Sequence, residues 1–202
     1  MSEHWNDVYA SHEAEERSWS EPEPTTSLEL LNVLGVTPRD SIVDIGAGES
    51  ELVDHLFRRD FTDLTILDVS GTALAVTRDR VGSENLITVE GDVTTWRPAR
   101  HYDVWHDRAV LHFLSAPDAQ RYATTLRAAL SPNGAVVIGV FAPDGPESCS
   151  GLPVTRYSAE DLAALLGGGF RVVAQRHERH LTPWGSEQSF QWVAARREER
   201  AS

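Results

Sequence analysis

The stretch IVDIGAGES, residues 42–50, decides the fold of this 202-residue chain. Its first four residues are largely apolar and β-branched, and they predict a short buried strand from Ile42 to Ile45. Gly46 and Gly48 follow and predict a tight turn at which the backbone can approach a ligand closely. An apolar pattern with helical spacing runs next, from Glu49 to Arg59. A strand, a glycine turn and a helix in this order form the first unit of a parallel α/β sheet.

The same alternation continues along the chain. It predicts strands at 64–69, 86–89, 102–106, 134–141, 170–177 and 189–195, and helices at 25–34, 72–81, 117–130 and 158–166. Ser158 and Asp161 predict a capping box at the start of the last helix. No helix separates the last two strands, so we expect them to pair antiparallel at one edge. The sequence therefore predicts a single-domain α/β fold, a Rossmann-like sheet of seven strands, mostly parallel, with an antiparallel strand pair at the C-terminal edge and helices on both faces.

The first 24 residues have a different character from the rest. Trp5, Tyr9 and Trp19 are interleaved with acidic residues, and Pro22 and Pro24 end the segment. This pattern predicts a short amphipathic helix followed by a linker. We expect segment 1–24 to close over a ligand crevice as a lid, in front of a domain at 25–202. The alternative is a helix that packs on the sheet edge for stability alone.

Composition excludes several classes of function. The net charge is −13, and all 18 basic residues are arginines because the chain contains no lysine. A phosphate-binding loop of the Walker type and a lysine Schiff base both need that amine. The acidic balance also opposes contact with polyanions, because phosphate contacts need clustered positive charge. We therefore expect no nucleic-acid partner.

The chain shows no sign of a membrane or export segment. Its longest apolar stretch, from Ala135 to Ala142, is far shorter than the roughly 20 residues that span a bilayer. No basic segment followed by an apolar one marks the N-terminus. Cys149 is the single cysteine, which excludes an internal disulfide. The expectation is a cytoplasmic protein with no membrane partner.

Acidic residues lie at the ends of three successive predicted strands. Asp44, Asp68 and Asp92 are 24 residues apart in sequence. A carboxylate after the second strand can accept hydrogen bonds from both ribose hydroxyls of a nucleotide, and one after the third can take the exocyclic amine of an adenine. Glu51 stands where a dinucleotide fingerprint has its third glycine, and together with Glu49 it disfavours a pyrophosphate and favours a cationic ligand such as a sulfonium. Aspartates that cap helices are the alternative explanation.

These residues resemble the class I S-adenosylmethionine-dependent methyltransferases over about residues 25–197. Asp44, Gly46 and Gly48 match the first motif of that family, and Ser50 replaces its usual third glycine. Asp68 matches the ribose acid, Asp92 and Val93 the adenine contact, and LSPNG at 130–134 the turn before the fifth strand. The stretches WHDRAVLHFL at 105–114 and CSGLPV at 149–154 are similar to a group of bacterial methyltransferases. The N-terminal aromatic spacing is similar, more weakly, to eukaryotic relatives that methylate lysine on proteins.

The resemblance implies S-adenosylmethionine as the cofactor. The cofactor site that it implies consists of Trp19, Asp44, Gly46, Ala47, Gly48, Ser50, Asp68, Val69, Asp92, Val93 and His106.

Catalytic candidates should lie at the carboxyl end of the fourth strand, where the strand order of such a sheet reverses. His106 is predicted there as a general base, with a packed or capping histidine as the alternative. Asp107 is predicted to contact the substrate or the methionine amine, and a helix N-cap is equally compatible with its position. Arg108 is a candidate to bind an anionic substrate, against the more frequent role of an arginine in an ion pair.

Loops after the fifth and sixth strands are expected to form the wall of the acceptor pocket. Their candidates are Cys149, Arg156 and Tyr157, with Trp184 and Gln188 as further wall residues. His112 lies between apolar residues and is interpreted as structural. His177 and His180 are three residues apart on a predicted strand, so they point to opposite faces and cannot share an ion. No metal site is expected.

The function predicted from these observations is methyl transfer from S-adenosylmethionine to an oxygen, nitrogen or sulfur nucleophile of a small molecule. Methylation of a lysine on a protein is the alternative acceptor. A nicotinamide oxidoreductase, disfavoured by Glu51, and a non-catalytic protein that binds S-adenosylmethionine are the alternatives from other classes.

Overall fold

The computed structural model describes residues 2–11 and 17–198. Within these residues the helices are α1 Ser2–Ser11, α2 Thr25–Val33, α3 Leu52–Phe57, α4 Gly71–Val81, α5 Ala116–Ala129 and α6 Ala159–Leu166. The strands are β1 Ile42–Ile45, β2 Leu64–Asp68, β3 Leu86–Glu90, β4 Tyr102–Arg108, β5 Leu130–Phe141, β6 Ser148–Cys149, β7 Leu152–Pro153, β8 Phe170–Leu181 and β9 Glu187–Arg197. A short 3₁₀ turn, Leu111–Phe113, follows β4.

Seven strands form one sheet in the order β3-β2-β1-β4-β5-β9-β8. The strands from β1 to β5 are parallel, whereas β9 runs antiparallel to both β5 and β8. This arrangement confirms the predicted fold, including the antiparallel pair at the C-terminal edge. Because β9 is antiparallel, its first residues lie at the same edge of the sheet as the carboxyl ends of the parallel strands.

Helices cover both faces of the sheet, as the buried central strands require. Every residue of β1 and β2 is buried, which explains why these strands read as continuous apolar runs. The apolar core on one face includes residues of α2, α3 and α4. The core on the other face includes residues of α5 and α6. Two layers of helices therefore fix the sheet from both sides and leave one edge available for a ligand.

The boundaries of the elements differ from the predictions in ways that matter for the site. β4 continues two residues beyond the predicted end and stops at Arg108. α3 begins at Leu52 rather than Glu49, and the guanidinium of Arg80 binds the freed carbonyls of Glu49 and Ser50. Residues 46–51 therefore form a longer turn, and residues 106–108 belong to the sheet.

Two other local predictions concern helix caps and connections. The capping box of α6 is confirmed, since Ser158 and Asp161 bond each other's backbone N–H groups.

β5 is irregular near its start, where Asn133 has a φ of 61°. β8 and β9 are longer than predicted and meet in a short turn that carries Trp184, which is 61% exposed. Among the described residues, no helix is both long enough and apolar enough to cross a membrane.

Candidate functional site

The carboxyl edge of the parallel strands holds an open cavity. The empty space in it amounts to about 840 Å³ when the open solvent at its mouth is included. The cavity is lined by Trp5, Tyr9, Trp19, Ile45, Gly46, Leu67, Asp68, Val69, Gly91, Asp92, Val93, Arg108, Ala109, Val110, His112, Phe113, Leu114, Phe141, Cys149, Gln188 and Phe190. The residues from β1, β2 and β3 form one half, and those from β5 and β9 form the other.

Asp68 is the buried acid of the first half. Its Oδ2 accepts the N–H of Gly48 at 2.8 Å, and its Oδ1 accepts the N–H of Ser70 at 2.8 Å. Burial raises the pKa of Asp68 to about 6, although the two N–H bonds oppose that rise. The carboxylate thus joins the glycine turn to the start of α4 and borders the cavity, as expected for an acid that receives hydroxyl groups.

The glycine turn needs its two glycines for separate reasons. Gly46 has a φ of 63°, and a Cβ there would lie 1.9 Å from Cγ2 of Val110. Gly48 has a φ of 51°, and a Cβ there would lie 2.0 Å from the Tyr9 hydroxyl. Both positions combine the left-handed region with close contact, which excludes a side chain. Gly46 borders the cavity, whereas Gly48 lies under Tyr9.

One part of the charge argument for this turn needs correction. Glu49 does not present its charge to the cavity, because Arg17 forms an ion pair with it at 2.7 Å and both side chains are nearly buried. The Arg17 guanidinium also donates to the carbonyl of Tyr9 and lies 4.7 Å from the centre of that ring. Glu49 therefore anchors the N-terminal segment, and its carboxylate is no longer an argument against a pyrophosphate.

Asp92 and Val93 lie at the far end of the same half. The Oδ1 of Asp92 accepts the backbone N–H and the hydroxyl of Thr94, at 2.8 and 2.7 Å. Val93 is buried, and both residues line the cavity. The turn holds the second carboxylate oxygen of Asp92 clear of these bonds.

The cavity has a roof of aromatic rings, which is formed by α1 and the residues that follow Arg17. Trp5 lies 5.1 Å from Phe113 and 6.0 Å from Trp19, and Tyr9 lies 6.2 Å from Trp19, measured between ring centres. Asn6 of α1 accepts the hydroxyl of Ser70 at 2.6 Å. Burial raises the pKa of Tyr9. The N-terminal helix therefore contacts both halves of the cavity.

His106 does not line the cavity. Its Nδ1 donates to Oδ1 of Asp44 at 2.7 Å, and its Nε2 accepts the hydroxyl of Ser27 at 2.9 Å. All three residues are buried between the sheet and α2. We expected His106 at the crevice because β4 was predicted to end there. The strand continues to Arg108 instead, and the alternation of side chains along it places the His106 ring on the face covered by α2. This geometry argues against the predicted base and against a cofactor contact by His106 or Asp44.

Asp107 points to the other face of the sheet, and it is fully buried. Its two carboxylate oxygens accept the N–H groups of Val110 and Leu111, at 2.9 and 3.2 Å, and the Tyr122 hydroxyl hydrogen-bonds to it. Burial raises its pKa to about 6 against these bonds. Of the two interpretations of Asp107, the geometry favours the cap, here of the 3₁₀ turn, over contact with a substrate.

Arg108 is the predicted residue of β4 that reaches the cavity. Its Nη1 donates to the carbonyl of Trp19 at 2.8 Å, and its Nε lies 3.3 Å from the carboxylate of Glu21. The guanidinium carbon lies 5.1 Å from the centre of the Phe190 ring. Nη2 is buried and has no hydrogen-bond partner. Arg108 is therefore both an ion-pair residue and a donor at the cavity wall.

His112 was interpreted as structural, but it also lines the cavity. It is fully buried, and its Nδ1 accepts the N–H of Phe141 at 3.2 Å. Burial, with the charge of Arg108 as a smaller cause, lowers its pKa to about 3. The ring is therefore neutral at ordinary pH and carries its proton on Nε2, which is buried without a partner. A signal was available, because residues directly after a strand end are the usual place for ligand contacts.

The predicted acceptor wall is partly assembled. Cys149 and Gln188 line the cavity, and burial raises the pKa of the Cys149 thiol. Arg156 instead bonds Glu147 and a carbonyl on the exposed loop, so it lies off the cavity. Tyr157 packs against the apolar core on the face of the sheet covered by α5 and α6, and it does not reach the cavity either. Trp184 stands exposed in the hairpin turn.

Several other predicted residues have local roles. Ser50 and Ala47 do not line the cavity, and the Ser50 hydroxyl accepts the N–H of Leu52. His177 is exposed and bonds Asp144, whereas His180 is buried and donates to the carbonyl of Ser18. The two histidines therefore serve different contacts. Within the described ranges, no group of three or more histidine, cysteine and acidic residues is arranged to hold a metal ion.

Aromatic residues complete the second half of the cavity and were not predicted as site residues. Phe141 ends β5 and Phe190 lies near the start of β9, and their ring centres are 4.9 Å apart. Phe113 lies between His112 and the roof, with ring centres 4.4 Å from His112. The antiparallel direction of β9 brings Phe190 to this edge beside Gln188, which was predicted as a wall residue.

Comparison with known proteins gives a consistent picture. Residues 42–134 match the family described as a methyltransferase domain. A structure from work on the conversion of a disulfide bond into a thioacetal group during echinomycin biosynthesis is 21% identical, with a TM-score of 0.77 over 100% of this chain and 94% of that one. A 1,6-didemethyltoxoflavin-N1-methyltransferase of Burkholderia thailandensis, solved with that compound and S-adenosylhomocysteine, is 22% identical, with a TM-score of 0.71 over 98% and 84%.

A curated relative is the EEF1A lysine methyltransferase 2 of Danio rerio. It is 26% identical over an alignment of 155 positions that covers 72% of this chain. The match spans 60% of the length of that relative.

Proposed function

We propose that this chain, a class I S-adenosylmethionine-dependent methyltransferase by its domain and fold, methylates an oxygen, nitrogen or sulfur nucleophile of a small molecule. The observation that carries the proposal is one cavity that runs from Asp68 and Asp92 to Phe190 under an aromatic roof. Such a cavity suits two small ligands that meet end to end. The relative that methylates didemethyltoxoflavin supports a small acceptor.

The residues of the first half fit S-adenosylmethionine. A buried carboxylate at Asp68 is suited to the ribose hydroxyls, and the free oxygen of Asp92 beside Val93 is suited to the adenine. Gly46 presents bare backbone beside them. Trp19 and Val69 complete the predicted cofactor contacts that border the cavity. When bound, S-adenosylmethionine supplies a methyl group that its sulfonium already activates.

The chain's own contribution is alignment and exclusion of water. Transfer of an activated methyl group needs the nucleophile in line with the carbon and the leaving sulfur. The rings of Trp5, Trp19 and Phe113 cover the place where the two ligands would meet. Arg108 and His112 offer hydrogen-bond donors that orient the acceptor. We propose that segment 1–24 is a lid on domain 25–202, supported by the contacts of α1 with both halves.

Methylation of a protein lysine is the second candidate, supported by the similarity to the EEF1A lysine methyltransferase 2. The roof argues against it, because a lysine on a protein surface must enter through an opening wide enough for its backbone to stay outside. A lysine also has to lose a proton first, and Arg108 at the cavity wall disfavours an ammonium group. A nicotinamide oxidoreductase and a protein that binds S-adenosylmethionine without turnover remain alternatives from other classes, and a cytoplasmic location remains a prediction.

Calorimetry tests the first half of the proposal. S-adenosylmethionine and S-adenosylhomocysteine should bind, and NAD should not. Replacement of Asp68 with alanine should weaken both by roughly 1 to 3 kcal/mol, the usual loss of hydrogen bonds to a carboxylate. The matched control is Asp79→Ala on the exposed face of α4. Tight NAD binding without an S-adenosylhomocysteine signal would overturn the assignment.

A labelled methyl donor tests the second half. The protein is incubated with it in the presence of a metabolite panel and, separately, of a cell lysate from which small molecules have been removed. Label in the metabolite fraction supports a small acceptor. Label that stays with protein in the depleted lysate supports the lysine alternative.

A further inference from the structure

The second half of the cavity contains two buried donors, which indicate the chemistry of a ligand that would fit there. Nε2 of His112 and Nη2 of Arg108 are both buried and have no hydrogen-bond partner among the described residues, and both residues line the cavity. A buried N–H without an acceptor costs free energy, so natural sites retain such groups when a ligand completes them. Since the Phe141 N–H occupies Nδ1 of His112, only the Nε2–H donor is available.

The two donors act on the same region. The Arg108 guanidinium carbon lies 5.1 Å from the centre of the Phe190 ring, and the His112 ring lies 4.5 Å from Phe141, which itself packs on Phe190 at 4.9 Å. The Trp19 carbonyl contacts Nη1 of Arg108 and the Glu21 carboxylate contacts its Nε, and together they fix the direction of Nη2. The Glu21 carboxylate compensates the arginine charge on the Nε side of the guanidinium. The two donors, one of which belongs to the cation, thus face the cavity on the other side.

Aromatic rings surround that place. Phe141 lies 4.5 Å from the His112 ring and 4.9 Å from Phe190, measured between centres. Phe113 and Trp5 close the other side at 5.1 Å from each other. Aromatic walls favour a flat ring because stacked and edge contacts add to the burial of its surface.

Three described titratable residues that line the cavity, His112, Cys149 and Tyr9, do not accept a proton near neutral pH. The pKa of His112 is about 3, and burial keeps the Cys149 thiol protonated. Tyr9 is likewise protonated, since burial raises its pKa. The acceptor must therefore lose its proton to solvent before it binds.

We propose that the acceptor is a flat aromatic or heteroaromatic molecule that binds as its anion, with an ionised oxygen attached to the ring, or an ionised ring nitrogen, between Arg108 and His112. This inference rests on the proposed function and names its substrate class. The acidic O–H or N–H of the acceptor has released its proton to water. The oxygen or nitrogen then forms a bond to the methyl carbon while the carbon–sulfur bond breaks and its electron pair stays on sulfur. An anion and a sulfonium give two products without those charges.

Binding of a coloured phenol tests the proposal without knowledge of the natural acceptor. The probe is 4-nitrophenol, whose absorbance reports its ionisation, added to the protein saturated with S-adenosylhomocysteine. We expect saturable binding with an increase in phenolate absorbance at a pH at which the free probe is only partly ionised. Benzylamine, a flat cation of similar size, should not displace it.

Variants connect the signal to the two donors. Arg108→Met should weaken probe binding at least about tenfold and remove the absorbance change, because a hydrogen bond to a charged group is lost. His112→Phe keeps an aromatic ring and should weaken binding a few-fold. Arg121→Met, on the exposed side of α5, should leave it unchanged. Affinity for S-adenosylhomocysteine checks that each variant is folded.

Three results would overturn the substrate class while the proposed function survives. They are no probe binding by protein that binds S-adenosylhomocysteine, displacement of the probe by benzylamine, and equal probe binding by Arg108→Met and the parent. Absence of S-adenosylhomocysteine binding would instead contradict the proposed function itself.

Discussion

Cofactor affinity should depend on pH through Asp68. The pKa of this carboxyl is about 6 in the free protein, because burial outweighs the bonds from the Gly48 and Ser70 N–H groups. Ribose hydroxyls donate more strongly to the ionised carboxylate than to the protonated carboxyl, so we expect the carboxylate form to bind the cofactor more tightly. At pH 7.5 nearly all molecules carry it, whereas at pH 5 only about one in ten does. Affinity for S-adenosylhomocysteine should therefore fall roughly tenfold from pH 7.5 to pH 5, about 1.4 kcal/mol.

Calorimetry at pH 7.5, 6 and 5 measures this slope. S-adenosylhomocysteine is the better ligand, because its own groups keep their charge over that range. Asp68→Asn should bind about 10 to 100 times more weakly at pH 7.5 and lose the pH dependence, since its amide does not titrate. Asp79→Asn, exposed on α4, should keep the parent slope.

Two outcomes would refute the reasoning. A flat profile for the parent would mean that the carboxyl is not raised or does not touch the cofactor. A slope that persists in Asp68→Asn would assign the titration to another group, such as Asp107, whose pKa is also about 6 but which lies off the cavity.

Three further predictions concern the turn, the buried histidine and the roof. Gly46→Ala should lower the unfolding free energy by roughly 1 to 2 kcal/mol because of the left-handed backbone, and by more because of the clash with Val110. Adding Val110→Ala should relieve only the clash. Denaturant unfolding of the single and double variants measures both contributions. The pKa of His112 is about 3 in the folded protein and near 6.5 in the unfolded chain, so the contribution of its neutral ring to stability is complete above pH 6.5 and is lost as the pH falls. Relative to His112→Phe, the unfolding free energy of the parent should drop by about 1.4 kcal/mol per pH unit below pH 6.5. A constant difference between the two proteins would contradict the lowered pKa. Deletion of α1 should leave a cooperatively folding sheet with weaker S-adenosylhomocysteine binding; retained affinity with a lower melting temperature would show that the helix only stabilises the fold.

The order of the sheet was predictable because hydrophobic patterning and the two kinds of turn agree along the chain. The run Ile42–Ile45 is buried on both faces, and the pattern showed this directly. The antiparallel edge followed from the absence of a helix between the last two strands. Asp68, Asp92 and Arg108 were also placed at the cavity, because they lie at or next to carboxyl ends of strands.

The catalytic candidates were less predictable because strand ends are uncertain by a few residues. Because β4 extends two residues further than predicted, the His106 side chain faces Ser27, and Asp107 caps the 3₁₀ turn. His112 was interpreted as core because its neighbours are apolar, and it is indeed buried, but its unpaired Nε2 depends on which backbone N–H occupies Nδ1. The tertiary structure decides which backbone N–H bonds to Nδ1, and the spacing of residues in the sequence does not predict it.

The position of α1 has a kinetic consequence. Its Asn6 bonds Ser70 next to the cofactor half, and its Trp5 packs on Phe113 next to the acceptor half. One helix thus contacts both halves of the cavity, so under the proposed lid role donor and acceptor would share a single opening motion. We expect both products to leave with the same rate constant, and solvent viscosity to slow turnover more than a change of acceptor does.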